Sequence, residues 1–268
     1  MLVWTRLEFW PMLPERQQVV DNAANSRFET VRLMRDRFIG DEGDFCKYGL
    51  LRALAGVQPK ETDELSLGIV WYRVPESRIK YLDDPKTFRG CDPPLFNVLT
   101  EVVKSNPRTI AGIQQTPIWP RGTVFFDKPA VRRVPSAEND PWLDEAVEKV
   151  GKCDLVFLDP DTGLEKRSKD LVDVEHCSYK DVRRFWQQGQ RSLVVYQHQV
   201  FGQSQPEQMA AVGDELEREV GTRPWYLHFR RMSLFVIPSR SRQDTLKARF
   251  LRFTGDWDGR VKLGNGPA

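Results

Sequence analysis

Short apolar runs alternate with longer stretches in which apolar residues recur at helical spacing, and this alternation covers most of the chain. Leu67 to Tyr72, Thr109 to Ile113, Thr123 to Phe126, Asp154 to Leu158, Ser192 to Tyr196, Trp225 to Phe229 and Leu234 to Ile237 are short runs bounded by turn formers, and they read as strands. Between them, Asp44 to Ala55, Pro93 to Lys104, Pro141 to Val150, Tyr179 to Gln188, Pro206 to Val220 and Arg242 to Phe253 read as helices. The first has Asp44 at its start, and the second has Asp92 as N-cap with proline in the first turn. Strands alternating with helices predict an α/β fold of three layers, a mainly parallel sheet covered by helices. Only Arg230 to Ser233 separates the last two strands, too few residues for a parallel crossover, so a terminal antiparallel hairpin is expected.

Residues 1–33 lack the pattern. An aromatic tract, Pro11, Pro14 and a polar stretch around Asn22 to Ser26 read as a peripheral N-terminal extension, with Met34 preceding the first organised segment and a single domain over 34–268. At 268 residues, 40% hydrophobic and 29% charged, the chain is long enough to bury a sizeable core. Cys46, Cys91, Cys153 and Cys177 lie far apart without a CxxC pair, which disfavours a zinc ribbon. Neither a signal-peptide pattern nor an apolar run of membrane-spanning length is present, so a cytoplasmic protein with reduced thiols and no membrane partner is expected.

Net charge is only +2, yet from Gly221 onward ten Lys and Arg face three Asp, a balance of +7. Clustered cations with Trp225, Tyr226 and Phe229 among them fit a nucleic-acid partner. Arginines laid over aromatic surface on a solvated helix face fit the same residues. Oligomeric state is left open.

The densest chemistry lies in Cys153-Asp154-Leu155-Val156-Phe157-Leu158-Asp159-Pro160-Asp161-Thr162-Gly163-Leu164-Glu165. An apolar strand runs straight into carboxylates held in a Pro/Gly turn, and ligands bind at such strand ends in open α/β sheets. Asp159, Pro160 and Asp161 are candidate catalytic residues; the competing role for the two aspartates is to cap the next element and shape an Asx-type turn. Ser192 to Gln199 repeats the logic, ending in Gln197 and His198, with His198 a candidate acid, base or hydrogen-bond donor. In Gly40-Asp41-Glu42-Gly43-Asp44-Phe45-Cys46-Lys47-Tyr48, a lysine emerges from the first turn of a helix, the end that disfavours cations. Lys47 is therefore expected either to meet an anionic ligand group or to pair with Asp41, Glu42 or Asp44. Asp92-Pro93-Pro94-Leu95 follows no apolar strand and reads as a capped helix start rather than a catalytic turn.

The tracts Gly40 to Arg52 and Leu158 to Glu165 together resemble a bacterial family of uncharacterised proteins that carries both, over about Met34 to the basic C-terminal helix. More distantly, the layout is similar to bacterial 23S ribosomal RNA adenine-N6 methyltransferases of the J type. That resemblance implies a Rossmann-like, S-adenosylmethionine (SAM)-methyltransferase-like sheet. It places Lys47, with Asp44, Gly43 and Tyr72, at the cofactor, and Asp159-Pro160 at the position that holds the target amino group of a flipped base. Two departures stand out: Asp161-Thr162 replaces the Pro-Tyr half of the family's Asp-Pro-Pro-Tyr turn, and Trp71 to Glu76 lacks a glycine-rich turn. Two other classes compete. Asp159, Asp161 and Glu165 supply the hard oxygen ligands that Mg²⁺ takes in phosphodiester chemistry, and a non-catalytic Rossmann-like binding module would use the same carboxylates only to shape a turn.

Overall fold

Leu155 and Phe157 face one layer of helices while Val156 and Leu158 face the other, so the central strand is buried on both sides. The computed structural model describes residues 40–57, 61, 63–72, 88–104, 109–133, 140–165, 173–199 and 204–267. The expected N-terminal extension, Met34 and most of the segment after Tyr72 lie outside the described residues. In chain order the elements begin α1 (Glu42–Ala55), β1 (Leu67–Trp71), α2 (Pro93–Lys104), α3 (Ile110–Gln114), β2 (Val124–Phe126) and α4 (Pro141–Lys149). Then come β3 (Leu155–Asp159), β4 (Gly163–Leu164), β5 (His176–Cys177), α5 (Tyr179–Trp186), β6 (Ser192–His198) and α6 (Gln205–Val220). The chain continues through β7 (Trp225–Phe229), β8 (Met232–Ile237), α7 (Gln243–Asp256) and β9 (Lys262–Asn265).

Seven strands form one mixed, mostly parallel sheet in the order β2-β1-β3-β6-β8-β7-β9, an architecture compatible with a Rossmann-like fold. β2, β1, β3 and β6 are mutually parallel, and the expected neighbours β3 and β6 pair in register, Leu155 with Ser192 through Leu158 with Val195. Apolar residues of α1, α2, α3 and α7 pack on one face, and those of α4, α5 and α6 on the other.

The hairpin forms as expected from its short turn, but it is not terminal. β8 lies between β6 and β7, antiparallel to both, and β9 adds a further antiparallel strand outside β7. β9 carries Lys262, Gly264 and Asn265, with neither alternation nor an apolar run to announce it. Thr109 to Ile113 is a correction of another kind: it is the start of helix α3. The Thr109 hydroxyl accepts from Gly112 N–H at 3.0 Å, so a local cap wins over the strand preference of a Thr-Ile pair.

α1 also begins earlier than expected. Asp41, not Asp44, is the N-cap, taking Asp44 N–H at 2.7 Å, while the Asp44 carboxylate takes Gly40 N–H at 3.0 Å. Unlike a capping box, in which the third helical residue takes the N–H of the cap itself, Asp44 takes the N–H one residue before the cap, and Lys47 follows one turn further on. The Asp92 start of α2 is as expected, with Leu95 N–H donating to Asp92 at 3.1 Å. Among the described residues, no helix is long and apolar enough to cross a membrane.

Candidate functional site at the carboxyl ends of β3 and β6

The chain leaves β1 for β2 on one side and returns to β3 on the other, so the strand order reverses between β1 and β3. In open α/β sheets that switch point is where ligands bind. Asp159 closes β3 there, in register with Trp71 at the end of β1. Above it, α1 delivers Lys47, whose Nζ lies 3.3 and 3.2 Å from the two Asp159 carboxylate oxygens and 2.8 Å from Asp44 Oδ1. The same ammonium sits 5.2 Å from the centre of the Tyr196 ring on β6. Tyr196 Oη in turn lies 3.1 Å from His198 Nδ1. The Asp159 and Lys47 side chains retain only 6% and 13% of their exposure.

One cation thus serves two buried carboxylates directly, with Asp41 close by as a third. Burial pushes the Asp159 carboxyl up to about 6, with Lys47 opposing the rise and Asp44 adding to it. Asp41 is raised to about 7 by burial and then by its neighbour Asp44. Burial alone would pull the Lys47 ammonium down, but Asp159 and Asp44 outweigh it and hold it well above the usual lysine range. His198 is lowered, by burial first and then by Arg231, which favours the neutral imidazole.

The loop after Asp159 is tied to β6. Gln197 Oε1 accepts from Leu164 N–H at 2.8 Å, Gln197 Nε2 donates to the His198 carbonyl at 2.9 Å, and His198 N–H donates to Thr162 O at 3.2 Å. Gly163 has φ +111, and a Cβ there would stand 2.5 Å from Gln197 Oε1. Gly163→Ala therefore combines backbone strain with displacement of Gln197, and is expected to cost about 1–3 kcal/mol in urea unfolding. Gln197→Ala in the same chain should recover part of the loss by removing the clash.

The structure brings Asp159, Lys47 and Asp44 into direct contact, with Gly43 in the first turn of the same helix, Pro160 next along the chain and His198 linked through Tyr196. Asp161, half-buried in the turn, is near enough to raise the Asp159 and Tyr196 pKa values. It does not bring in Tyr72, whose side chain turns to the opposite layer: the hydroxyl lies 3.3 Å from Cys177 Sγ and the ring 4.9 Å from that of Trp142. Glu165 is also apart, beside the small β4–β5 ladder with Oε2 3.3 Å from His176 Nδ1. Among the described residues no three His, Cys, Asp or Glu side chains are grouped to hold a metal ion.

The basic segment differs from its sequence-based reading. Trp225, Tyr226 and Phe229 are buried in the core and present no face for a base. Arg249 is buried against Glu61 and Leu54 O, Arg242 and Arg252 pair with Asp63 and Glu61, Arg223 with Asp214 and Glu217, and Arg230 with Glu42. Much of the local positive charge is balanced by acids elsewhere in the sequence.

Sequence reasoning missed Tyr196 as a member of the site, and offered Asp41 only as one of three acids for Lys47 and Gln197 only as the polar end of a strand. Tyr196 and Gln197 were visible as the end of an apolar strand, but which of two consecutive residues faces α1 depends on the parity of β6 in the sheet. No protein family, curated protein or solved structure matches this chain.

Proposed function

We propose that this chain is a methyltransferase-like protein that binds SAM and acts on an amino group carried by a nucleic acid, with Asp159 and Pro160 orienting the acceptor. The observation that supports this reading best is the charge imbalance at the switch point. Two buried carboxylates, Asp44 and Asp159, share one ammonium with the half-buried Asp41 close by, so the site gains by admitting a further cation or N–H donor. The insertion of antiparallel β8 between β6 and β7 supports the same class, because methyltransferase sheets share that arrangement.

SAM fits the donor set around the start of α1. Its ammonium suits Asp41 and Asp44, its carboxylate suits Lys47, and Gly43 leaves the first turn without a side chain. Tyr72 does not fit that set, being committed to the opposite layer. When bound, SAM supplies an electrophilic methyl group on sulfur. The chain itself orients the acceptor: ionised Asp159 accepts one N–H, the Pro160 carbonyl accepts another, and the nitrogen lone pair is left to point at the electrophile. Lys47 favours the ionised form of Asp159 that this role requires.

Calorimetry with SAM, followed by transfer of labelled methyl to bulk RNA and single-stranded DNA, tests the proposal. Asp159→Asn is expected to lower transfer by about 100-fold or more while SAM affinity stays within about threefold, since the lost contact acts on the acceptor. Absence of any SAM binding by the unmodified protein would overturn it.

A further inference from the structure

Two indole N–H groups of the core have acceptors: Trp119 Nε1 donates to Ile113 O at 2.8 Å, and Trp142 Nε1 to Lys128 O at 3.3 Å. Trp71 differs. It is 2% exposed, and its Nε1–H has no hydrogen-bond partner among the described residues. A buried donor left unpaired is destabilising until an acceptor reaches it. Trp71 closes β1 at the switch point, in register with Asp159 at the end of β3. Parallel strands in register send paired side chains to the same face, with the backbones about 4.8 Å apart. That face is the one α1 covers: the Trp71 ring stands edge-on to Tyr48 with centres 6.3 Å apart, and Asp159 takes Lys47, the residue before Tyr48. An unpaired donor and a carboxylate thus end neighbouring strands beneath one turn of α1. Trp186 also has an unpartnered buried Nε1, but it ends α5 shortly before the start of β6, at the opposite edge of the sheet.

Charge decides which acceptor suits the indole. Asp44 and Asp159 already share one ammonium, with Asp41 bonded to the same turn of α1, so an anionic acceptor is repelled and a neutral one is favoured. Asp159 needs the reverse: its oxygens keep lone pairs beyond those facing Lys47, and an N–H meets them. A ligand edge that satisfies both groups carries an amino group beside a neutral ring nitrogen.

We propose that Trp71 Nε1–H is a specificity-determining donor, binding the ring nitrogen next to the target amino group while Asp159 accepts from that amino group. The proposal rests on the functional reading above for the amino group at Asp159. Bases of the adenine or cytosine type present such an edge, and thymine and uracil, which have no amino group, do not. The pair sorts bases by the order of donor and acceptor along one edge, which Asp159 alone does not.

The test uses the intact chain with ¹⁵N-labelled tryptophan, the Trp71 indole among the eight being assigned through its contact with Tyr48. The probes are short single-stranded thymidine runs carrying one central adenine or cytosine. With at least one of them the Trp71 indole proton is expected to move downfield saturably, while that of Trp186 stays in place. Replacing the ring nitrogens beside the amino group by C–H, one position at a time, should weaken binding by about tenfold or more at one position. In Trp71→Phe the parent and the deaza strands should bind alike, because the donor that told them apart is gone. The proposal is overturned by an unmoved Trp71 indole, by equal affinity of the unmodified chain for parent and deaza strands, or by an equal response to thymidine alone. The indole and affinity readouts on the unmodified chain do not depend on the variant folding. These titrations contain no SAM, so absence of SAM binding with the analogue discrimination intact would sink the methyltransferase reading and leave the donor standing. Methyl transfer with an unmoved indole would do the opposite.

Discussion

Lys47→Met is expected to destabilise the fold by about 3–5 kcal/mol at pH 7.5, because it leaves Asp44 and Asp159 buried without their cation. The methionine fills much the same volume, so little of the loss comes from a cavity. Urea unfolding at two pH values separates charge from packing. The penalty should shrink clearly at pH 5, where protonation of the raised Asp159 carboxyl removes one of the stranded charges. Adding Asp159→Asn to Lys47→Met should return part of the stability at pH 7.5. A penalty that is equal at both pH values, and unchanged in the double variant, would show that the ammonium contributes packing rather than charge balance.

Between pH 5 and pH 8, Asp41→Asn should gain on the unmodified protein by about 2–3 kcal/mol. The sign follows from the direction of the shift. Asp41 is raised in the folded state from 3.8 to about 7, so over this interval the folded chain binds a proton that the unfolded chain has already released. Stability from this group is greatest in acid and falls until pH passes about 7, and Asp159 acts in the same direction with its fall complete as pH passes about 6. His198 and His228 slope the other way: their folded pKa values are lowered, so they add stability as pH rises through the ordinary histidine range. The difference between variant and unmodified protein cancels the histidines, which is why it is the quantity to measure. Asparagine is also a good N-cap, so the Asp44 N–H keeps its acceptor. Parallel stability curves for the two chains would mean that Asp41 stays ionised throughout.

The strands that bury both faces were legible because runs like Leu155 to Leu158 and Leu193 to Val195 are short, carry β-branched residues and are bounded by turn residues, and Asp159 was legible because it terminates such a run. The pairing of Lys47 with Asp159 spans 112 residues, and only the end-of-helix misplacement of the lysine hinted at it. Three features were hidden for distinct physical reasons. Thr109 starts a helix through its hydroxyl, against the preference of its neighbours. β9 is held by pairing with β7 rather than by an apolar pattern of its own. Tyr72 and Tyr196 both sit at strand ends, yet sheet parity sends one to each layer, and a sequence without a known register does not reveal which.

The helix that carries Lys47 is packed against the last helix of the chain. Phe45 and Trp257 have ring centres 5.0 Å apart, and Arg249 Nη1 donates at 2.9 Å to the carbonyl of Leu54, a separation of 195 residues. During synthesis α1 can pack on β1 and α2 as soon as they emerge, through Tyr48 with Trp71 and Phe45 with Phe96, but the cover that α7 gives comes only near the end. Full packing of the helix that carries Lys47 therefore waits for contacts 195 residues further along the chain.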